Sequence, residues 1–301
     1  MIANAISRTN LSNDSRLISA MAAASSTFPH HGGSQYRRLM QIVPGSTHAI
    51  VTGAASGLGR ATAIALAEAG ALVSVFDIND AEGNAVADQI GGMFHHVDIT
   101  NEDGALAGFT DARAAFGQER ILVHCAMTTR GGKTVGRDRA TGGWTRMSTE
   151  DYAFSAMGIL VASYRMASIS ALGMVENAEP NDDGERGVIT LTASIAAEDA
   201  QVGQVAYGSC KAGVNGLVLP IARDLMDQGV RCNSIMPGIM STPPVHALPN
   251  KVFQVLNDSV PFPKRLGKPE EYASLVLELV RNSYFNGQNI RLDGAVRMPP
   301  R

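Results

Sequence analysis

The chain has 301 residues, 45% hydrophobic and 18% charged, with a formal net charge of −3. That is enough apolar material for a large core, and it provides no basic field of the kind a nucleic-acid partner requires. The cysteines Cys125, Cys210 and Cys232 are widely spaced and form no metal-spaced pair and no disulfide framework, so no metal site and a reducing compartment are expected.

No uncharged apolar run reaches ~18 residues, so no membrane span is expected. Residues 1–45 stand apart from the rest. They carry Arg8, Arg16, Arg37 and Arg38, many Ser and Ala, and a single acid, Asp14. This composition fits an organellar transit peptide and equally a disordered extension without an address. The corresponding locations are mitochondrial or cytoplasmic. The folded domain is expected over 46–301.

His48 to Thr52 reads as a short buried strand, followed by Gly53-Ala54-Ala55-Ser56-Gly57-Leu58-Gly59 and an Ala-rich helix from Arg60 to Ala69. A second strand, Ala71 to Phe76, ends at Asp77. This is a βαβ unit with a glycine-rich turn. The glycines let backbone N–H groups approach a pyrophosphate at the positive end of a helix. The spacing is G-x-x-x-G-x-G rather than G-x-G-x-x-G. A carboxylate at Asp77 suits the ribose hydroxyls of NAD and repels a 2′-phosphate, so NAD is the expected cofactor.

A helix from Ala81 to Ile90 and a strand from Met93 to Val97 follow, ending at Asp98. Asp98 and Ile99 are placed either to hold an adenine edge or to cap the next helix, Glu102 to Phe116. The strand Arg120 to Cys125 carries a lone His124, read as a packed, hydrogen-bonded residue. Thr128 to Ser148 is a long polar loop with Arg130, Lys133, Arg137, Arg139 and Arg146. Loops of this length are usually functional or mobile, and these cations are candidates for an anionic substrate tail. A long helix spans about Thr149 to Val175. Its small residues Ala153, Ser155, Ala156, Gly158 and Ala162 predict close approach to another helix, taken to be that of a partner subunit.

The β-branched run Val188 to Thr192 reads as a central strand, which puts Ser194 at its C-terminal end. In an open α/β sheet ligands gather at that edge. Tyr207 and Lys211 are four apart, one helical turn on one face. A cation beside a phenol favours the phenolate, so Ser194, Tyr207 and Lys211 suit proton exchange with a substrate oxygen. Strand Val230 to Met236 ends in Pro237-Gly238. Thr242 to Pro263 is a variable segment in the position of a substrate lid. A helix begins near Pro269, and Asn289 to Leu292 is the last strand.

The turn from Thr52 to Gly59, the Ser194…Tyr207…Lys211 constellation and Pro237-Gly238 together resemble the short-chain dehydrogenase/reductase family over about Ser46 to Met298. Runs such as Gln201-Val202-Gly203-Gln204 and Ile290-Arg291-Leu292-Asp293-Gly294 are similar to the branch acting on 3-hydroxyacyl-CoA thioesters. The resemblance implies a single Rossmann-type α/β domain, doubly wound, with about seven parallel strands. It also implies NAD across the sheet edge, a small alcohol or ketone substrate and a homotetramer. Tyr207 would be the general acid/base, Lys211 would lower its pKa and hold the nicotinamide ribose, and Ser194 would polarise the carbonyl. Gly53, Ser56, Gly57, Leu58, Gly59, Asp77, Asp98, Ile99, Ala126, Pro237, Gly238, Ile239 and Thr242 would line the cofactor.

Two positions depart from the family pattern. His124-Cys125-Ala126-Met127 replaces Asn-Asn-Ala-Gly or Asn-Cys-Ala-Gly. Ser155 stands where the family has a relay Asn, with a shorter reach and no separate donor and acceptor. The implied activity is hydride transfer between nicotinamide and a secondary alcohol or ketone. The alternatives are a biosynthetic alcohol dehydrogenase or ketoreductase of the same family and a non-catalytic NAD-binding scaffold.

Overall fold

A computed structural model describes residues 42–138 and 140–300. The expectation for residues 1–45 therefore falls outside the described residues, apart from 42–45. Those last four form a turn against the core, where Ile42 packs on the apolar cluster and the Gly45 N–H donates to Gly70 O at 3.0 Å.

The sheet strands are β1 His48–Thr52, β2 Leu72–Asp77, β3 Met93–His96, β4 Glu119–His124, β7 Gly187–Thr192, β8 Val230–Pro237 and β9 Asn289–Leu292. Two further short strands, β5 Gly136–Arg137 and β6 Trp144–Thr145, pair antiparallel as a separate ribbon. The main sheet is seven-stranded in the order β3-β2-β1-β4-β7-β8-β9, and all its pairings are parallel. Chain order reverses between β1 and β4, and a crevice opens there at the C-terminal ends of the strands.

Strand alternation divides the core into two layers. Ile50, Leu122, Ile189 and Leu191 face α3 (Glu102–Phe116), α4 (Thr149–Asn177) and α6 (Val205–Asp224). Ala49, Val51, Ile121 and Val123 face α1 (Gly57–Glu68), α2 (Asp80–Ile90) and α9 (Pro269–Arg281). The remaining helices are α5 (Ala196–Asp199), α7 (Pro243–His246) and α8 (Asn250–Asp258).

Several boundaries differ from expectation for local physical reasons. Helix α1 begins at Gly57 rather than Arg60. A Cβ on Gly59 would lie 2.2 Å from Gly53 O, so glycine here lets the first helical turn press against the preceding loop. Helix α3 is capped by Asn101, whose side chain accepts from Gly104 N at 3.0 Å, and not by Asp98. Asp98 instead accepts from the N–H and hydroxyl of Thr100.

Helix α4 is long and apolar enough to cross a membrane by length and composition, yet 56% of its most apolar window is buried in this fold. Its hydropathy is that of a core helix. A π turn interrupts it at Met157–Val161. Of the small residues expected to meet a partner, Ser155, Gly158 and Ala162 are buried within the same chain, whereas Ala156 is half-buried and Ala153 is exposed. A Cβ on Gly158 would come within 2.5 Å of Thr128 O, so the glycine admits the loop that leaves β4.

Candidate active site

The crevice is a cleft of about 1050 Å³, lined by the strand ends and the loops that follow them. Its walls include Gly53, Ser56, Gly57, Leu58, Gly59, Asp77, Asp98, Ile99, Ala126, Ser194, Tyr207, Lys211, Pro237, Gly238, Ile239 and Thr242. Residues scattered over most of the sequence thus meet at one sheet edge.

The glycine turn is built by close approach. Gly53 has φ +66°, and a Cβ there would sit 2.8 Å from Ala126 N. Ala126 is held from the other side, because its N–H and that of Cys125 both donate to Thr52 Oγ1, at 3.2 and 3.1 Å. Thr52 Oγ1 also contacts His124 Nδ1 at 2.8 Å. With two N–H groups already donating to it, the hydroxyl donates to the ring. Burial lowers the His124 pKa to about 3, so the ring is neutral and the reading of His124 as a packed residue agrees with its setting. On the opposite wall, a Cβ on Gly238 would lie 2.8 Å from Asp293 Cα. Asp77 accepts from Ala55 N and Asn79 N, each at 3.0 Å, which fixes its carboxylate beside the turn.

Ser194 is 8% exposed, and its Oγ accepts from Ala196 N at 3.1 Å. The Ser194 side chain acts to lower the Tyr207 phenol pKa, but burial is the larger influence and pushes it up. Lys211 is 3% exposed, its Nζ donates to Thr192 O at 2.6 Å, and it lies 5.9 Å from the Tyr207 ring centroid. Burial lowers its pKa to about 8, against smaller opposing effects of Cys125 and Cys210. No carboxylate pairs with this ammonium among the described residues. With one N–H donated to Thr192, it retains two donors for a bound molecule.

Thr192 joins three strand-end elements. Its Oγ1 donates to His124 O at 2.7 Å and is 2.7 Å from the hydroxyl of Tyr272, a fully buried residue of α9. Since Thr192 donates to the carbonyl, Tyr272 donates to Thr192. The Cys125 thiol in turn donates to Tyr272 at 3.7 Å. The carbonyl that receives Lys211 is therefore anchored from β4 and from α9.

Two expectations change. Ser155 is not part of the cleft wall: it is fully buried, and its Oγ accepts from Arg130 N at 3.0 Å and contacts Asp151 O at 3.0 Å. It ties the loop after β4 to α4. The basic loop presents Met127, Thr128, Thr129 and Gly131 to the cleft, while Arg130 and Arg137 are engaged elsewhere. Arg130 pairs with Asp151 at 2.7 Å and covers Phe154, and Arg137 stacks on Trp144 at 4.4 Å.

The profile of the family described as enoyl-(acyl carrier protein) reductase matches residues 53–296. The 3-hydroxyacyl-CoA dehydrogenase type-2 of Drosophila melanogaster is 45% identical over 253 residues, 83% of this chain and 97% of that protein. The chain belongs to the short-chain dehydrogenase/reductase family. The human 3-hydroxyacyl-CoA dehydrogenase type-2 is 41% identical over 84% of this chain and 95% of its own. A crystal structure of 3-hydroxyacyl-CoA dehydrogenase type-2 from Mycobacterium avium superposes with a TM-score of 0.80 at 37% identity, covering 85% of this chain and 98% of that one.

This short-chain dehydrogenase/reductase is thus an oxidoreductase of CH–OH groups that works with a nicotinamide cofactor on a small molecule. The cleft fits such a cofactor on its own evidence: a glycine turn that lines the cleft and opens into the N-terminus of α1, and a buried ammonium with donors to spare. Sequence reasoning missed Gln201, Gln204, Phe154, Leu256 and Met298 among the cleft residues. None of them carries a local signal, because each reaches the cleft only through the tertiary fold.

Proposed function

We propose that this chain is an NAD(H)-dependent 3-hydroxyacyl-CoA dehydrogenase in which Ser194, Tyr207 and Lys211 handle the substrate oxygen. The observation that carries this reading is the meeting of those three side chains beside the glycine cradle. The names of the relatives support the substrate class. Nicotinamide bound across the cleft would supply or accept the hydride. Gly53, Ser56, Gly57, Leu58 and Gly59 would hold its pyrophosphate, Asp77 the adenosine ribose, and Asp98 and Ile99 the adenine. Ala126, Pro237, Gly238, Ile239 and Thr242 would flank the nicotinamide, with Lys211 donating to its ribose.

Ser194 donates a hydrogen bond to the substrate oxygen. Tyr207, kept protonated at neutral pH by burial, gives its proton to that oxygen during ketone reduction and takes one back during oxidation. The nearby Lys211 ammonium favours the phenolate once formed. Ser155 positions the Arg130 backbone and does not touch the reacting atoms.

Acetoacetyl-CoA should be reduced with NADH far faster than small cyclic ketones. A preference for the cyclic ketones would instead favour the biosynthetic reading. In Asp77→Ala, the ratio of NADH to NADPH efficiency should fall by about 10–100-fold. That corresponds to losing about one charge-assisted hydrogen bond of about 1.5–3 kcal/mol. An unchanged ratio would remove Asp77 from the cofactor site.

A homotetramer is supported by the exposed apolar face of α4, where Tyr152, Met157, Val161, Tyr164 and Leu172 are each at least 38% exposed. Faces of this kind mark association sites. Sedimentation as a single-chain species would remove this part of the proposal. A mitochondrial or cytoplasmic location is kept from the composition of residues 1–45.

A further inference from the structure

The C-terminal tail is fastened over the substrate end of the cleft. Val296 is 2% exposed and packs with Ile195, the residue after Ser194. Arg291 on β9 binds Val296 O at 3.0 Å and Asp199 of α5 at 2.7 Å, tying the root of the tail to the element that follows Ser194.

Beyond the root, Gln201 Nε2 donates to Pro299 O and Val202 N donates to Pro300 O, each at 3.0 Å. Both contacts use carbonyls, the only backbone hydrogen-bonding groups proline retains, and proline keeps the tail extended. The receiving turn is itself braced. Gln201 N donates to Gln204 Oε1 at 2.9 Å, and Gly132 N in the loop after β4 donates to Gly203 O at 2.9 Å.

Between the fastened root and the fastened tip lies Met298. Its side chain lines the cleft and packs against the cluster that contains Ile195, Val260, Leu266 and Val296, beside Val245 and Leu256. This end of the cleft is apolar and adjoins the residue next to Ser194, so it faces a substituent of the reacting carbon that carries no charge. In an acyl thioester that substituent is the alkyl end, because the CoA arm is too large and too polar to be enclosed there.

We propose that Met298 is a specificity-determining residue that closes the alkyl side of the cleft and limits the length of chain accepted there. The inference rests on the acyl-thioester reading above. One extra or missing methylene in an apolar pocket discriminates substrates by about 10–200-fold.

The test compares kcat/KM for acetoacetyl-CoA and 3-ketooctanoyl-CoA in the wild type, in Met298→Ala and in a chain ending at Met298. In Met298→Ala the ratio of long to short substrate should rise by about tenfold. The shortened chain should shift the ratio in the same direction, since Met298 loses both tail anchors. NADH affinity, read by fluorescence, should not move. An unchanged ratio, or an equal loss on both substrates, would overturn the proposal. If the wild type turns over no acyl-CoA thioester, the substrate reading fails by itself. The same three proteins then test Met298 with 2-butanone and 2-octanone, where an unchanged ratio would overturn it independently.

Discussion

Tyr207→Phe is expected to lower turnover by about 10²–10⁴-fold, the range for loss of a general acid/base, while NADH binding stays within about twofold of wild type. The ring of Tyr207 packs against the core layer that holds Cys210 and Ile159, and phenylalanine preserves that packing. The hydroxyl is the one group removed, together with its interaction with Ser194. Steady-state NADH oxidation, paired with NADH fluorescence titration, separates the two effects. Retained turnover would remove Tyr207 from the chemistry. Loss of both turnover and NADH binding would show that the hydroxyl serves the cofactor site instead.

Lys211→Met should lower turnover by about 100-fold or more and at the same time raise stability at neutral pH. The ammonium is buried without a carboxylate, and burial brings its pKa from 10.5 to about 8. At about 1.4 kcal/mol per unit, holding the charge inside costs the fold about 3 kcal/mol below pH 8. The sign follows from proton counts. Between pH 8 and 10.5 the unfolded chain keeps the lysine proton and the folded chain has released it, so stability rises with pH across that window. In Lys211→Met this rise disappears and the melting temperature at pH 7 exceeds that of wild type. Thermal melts of both proteins from pH 7 to 10 check it. A large fall in melting temperature for the variant at pH 7 would mean that the bond to Thr192 O outweighs the burial cost.

The geometry also revises how the phenol is tuned. The spacing of Tyr207 and Lys211 led to an expectation that the ammonium lowers the phenol pKa. In the structure Lys211 turns to Thr192 O, and burial of Tyr207 raises its pKa.

The sheet was legible because its signals are local. β-Branched runs with a period of two, and glycines between a strand and a helix, carry their meaning within ten residues. Ser194, Tyr207 and Lys211 were legible for the same reason, being the end of one strand and one turn of one helix. What escaped depends on partners far along the chain. Tyr272 reads as one more apolar position of α9, yet its hydroxyl is what holds Thr192. Small residues on α4 announce close packing but not the identity of the neighbour, which at Gly158 is Thr128 of the same chain. Arginines in the loop after β4 suggested contacts to an anionic substrate tail, but Asp151, Phe154 and Trp144 occupy two of them, Arg130 and Arg137. Met298 lies past the last strand, and the buried Val296 before it together with the tail's carbonyl bonds to Gln201 and Val202 after it bring it to the cleft.

The central claim, that hydride passes between nicotinamide and the third carbon of an acyl thioester at the Ser194–Tyr207 end of the cleft, is tested most directly by isotope transfer. NADH deuterated at the reactive carbon is incubated with acetoacetyl-CoA and the wild-type protein, and the product is analysed by mass spectrometry. The expected product is 3-hydroxybutyryl-CoA carrying one deuterium at its third carbon, with no labelled product from Tyr207→Phe over the same interval. Unlabelled 3-hydroxybutyryl-CoA, or no reduced thioester at all from the wild type, would contradict it.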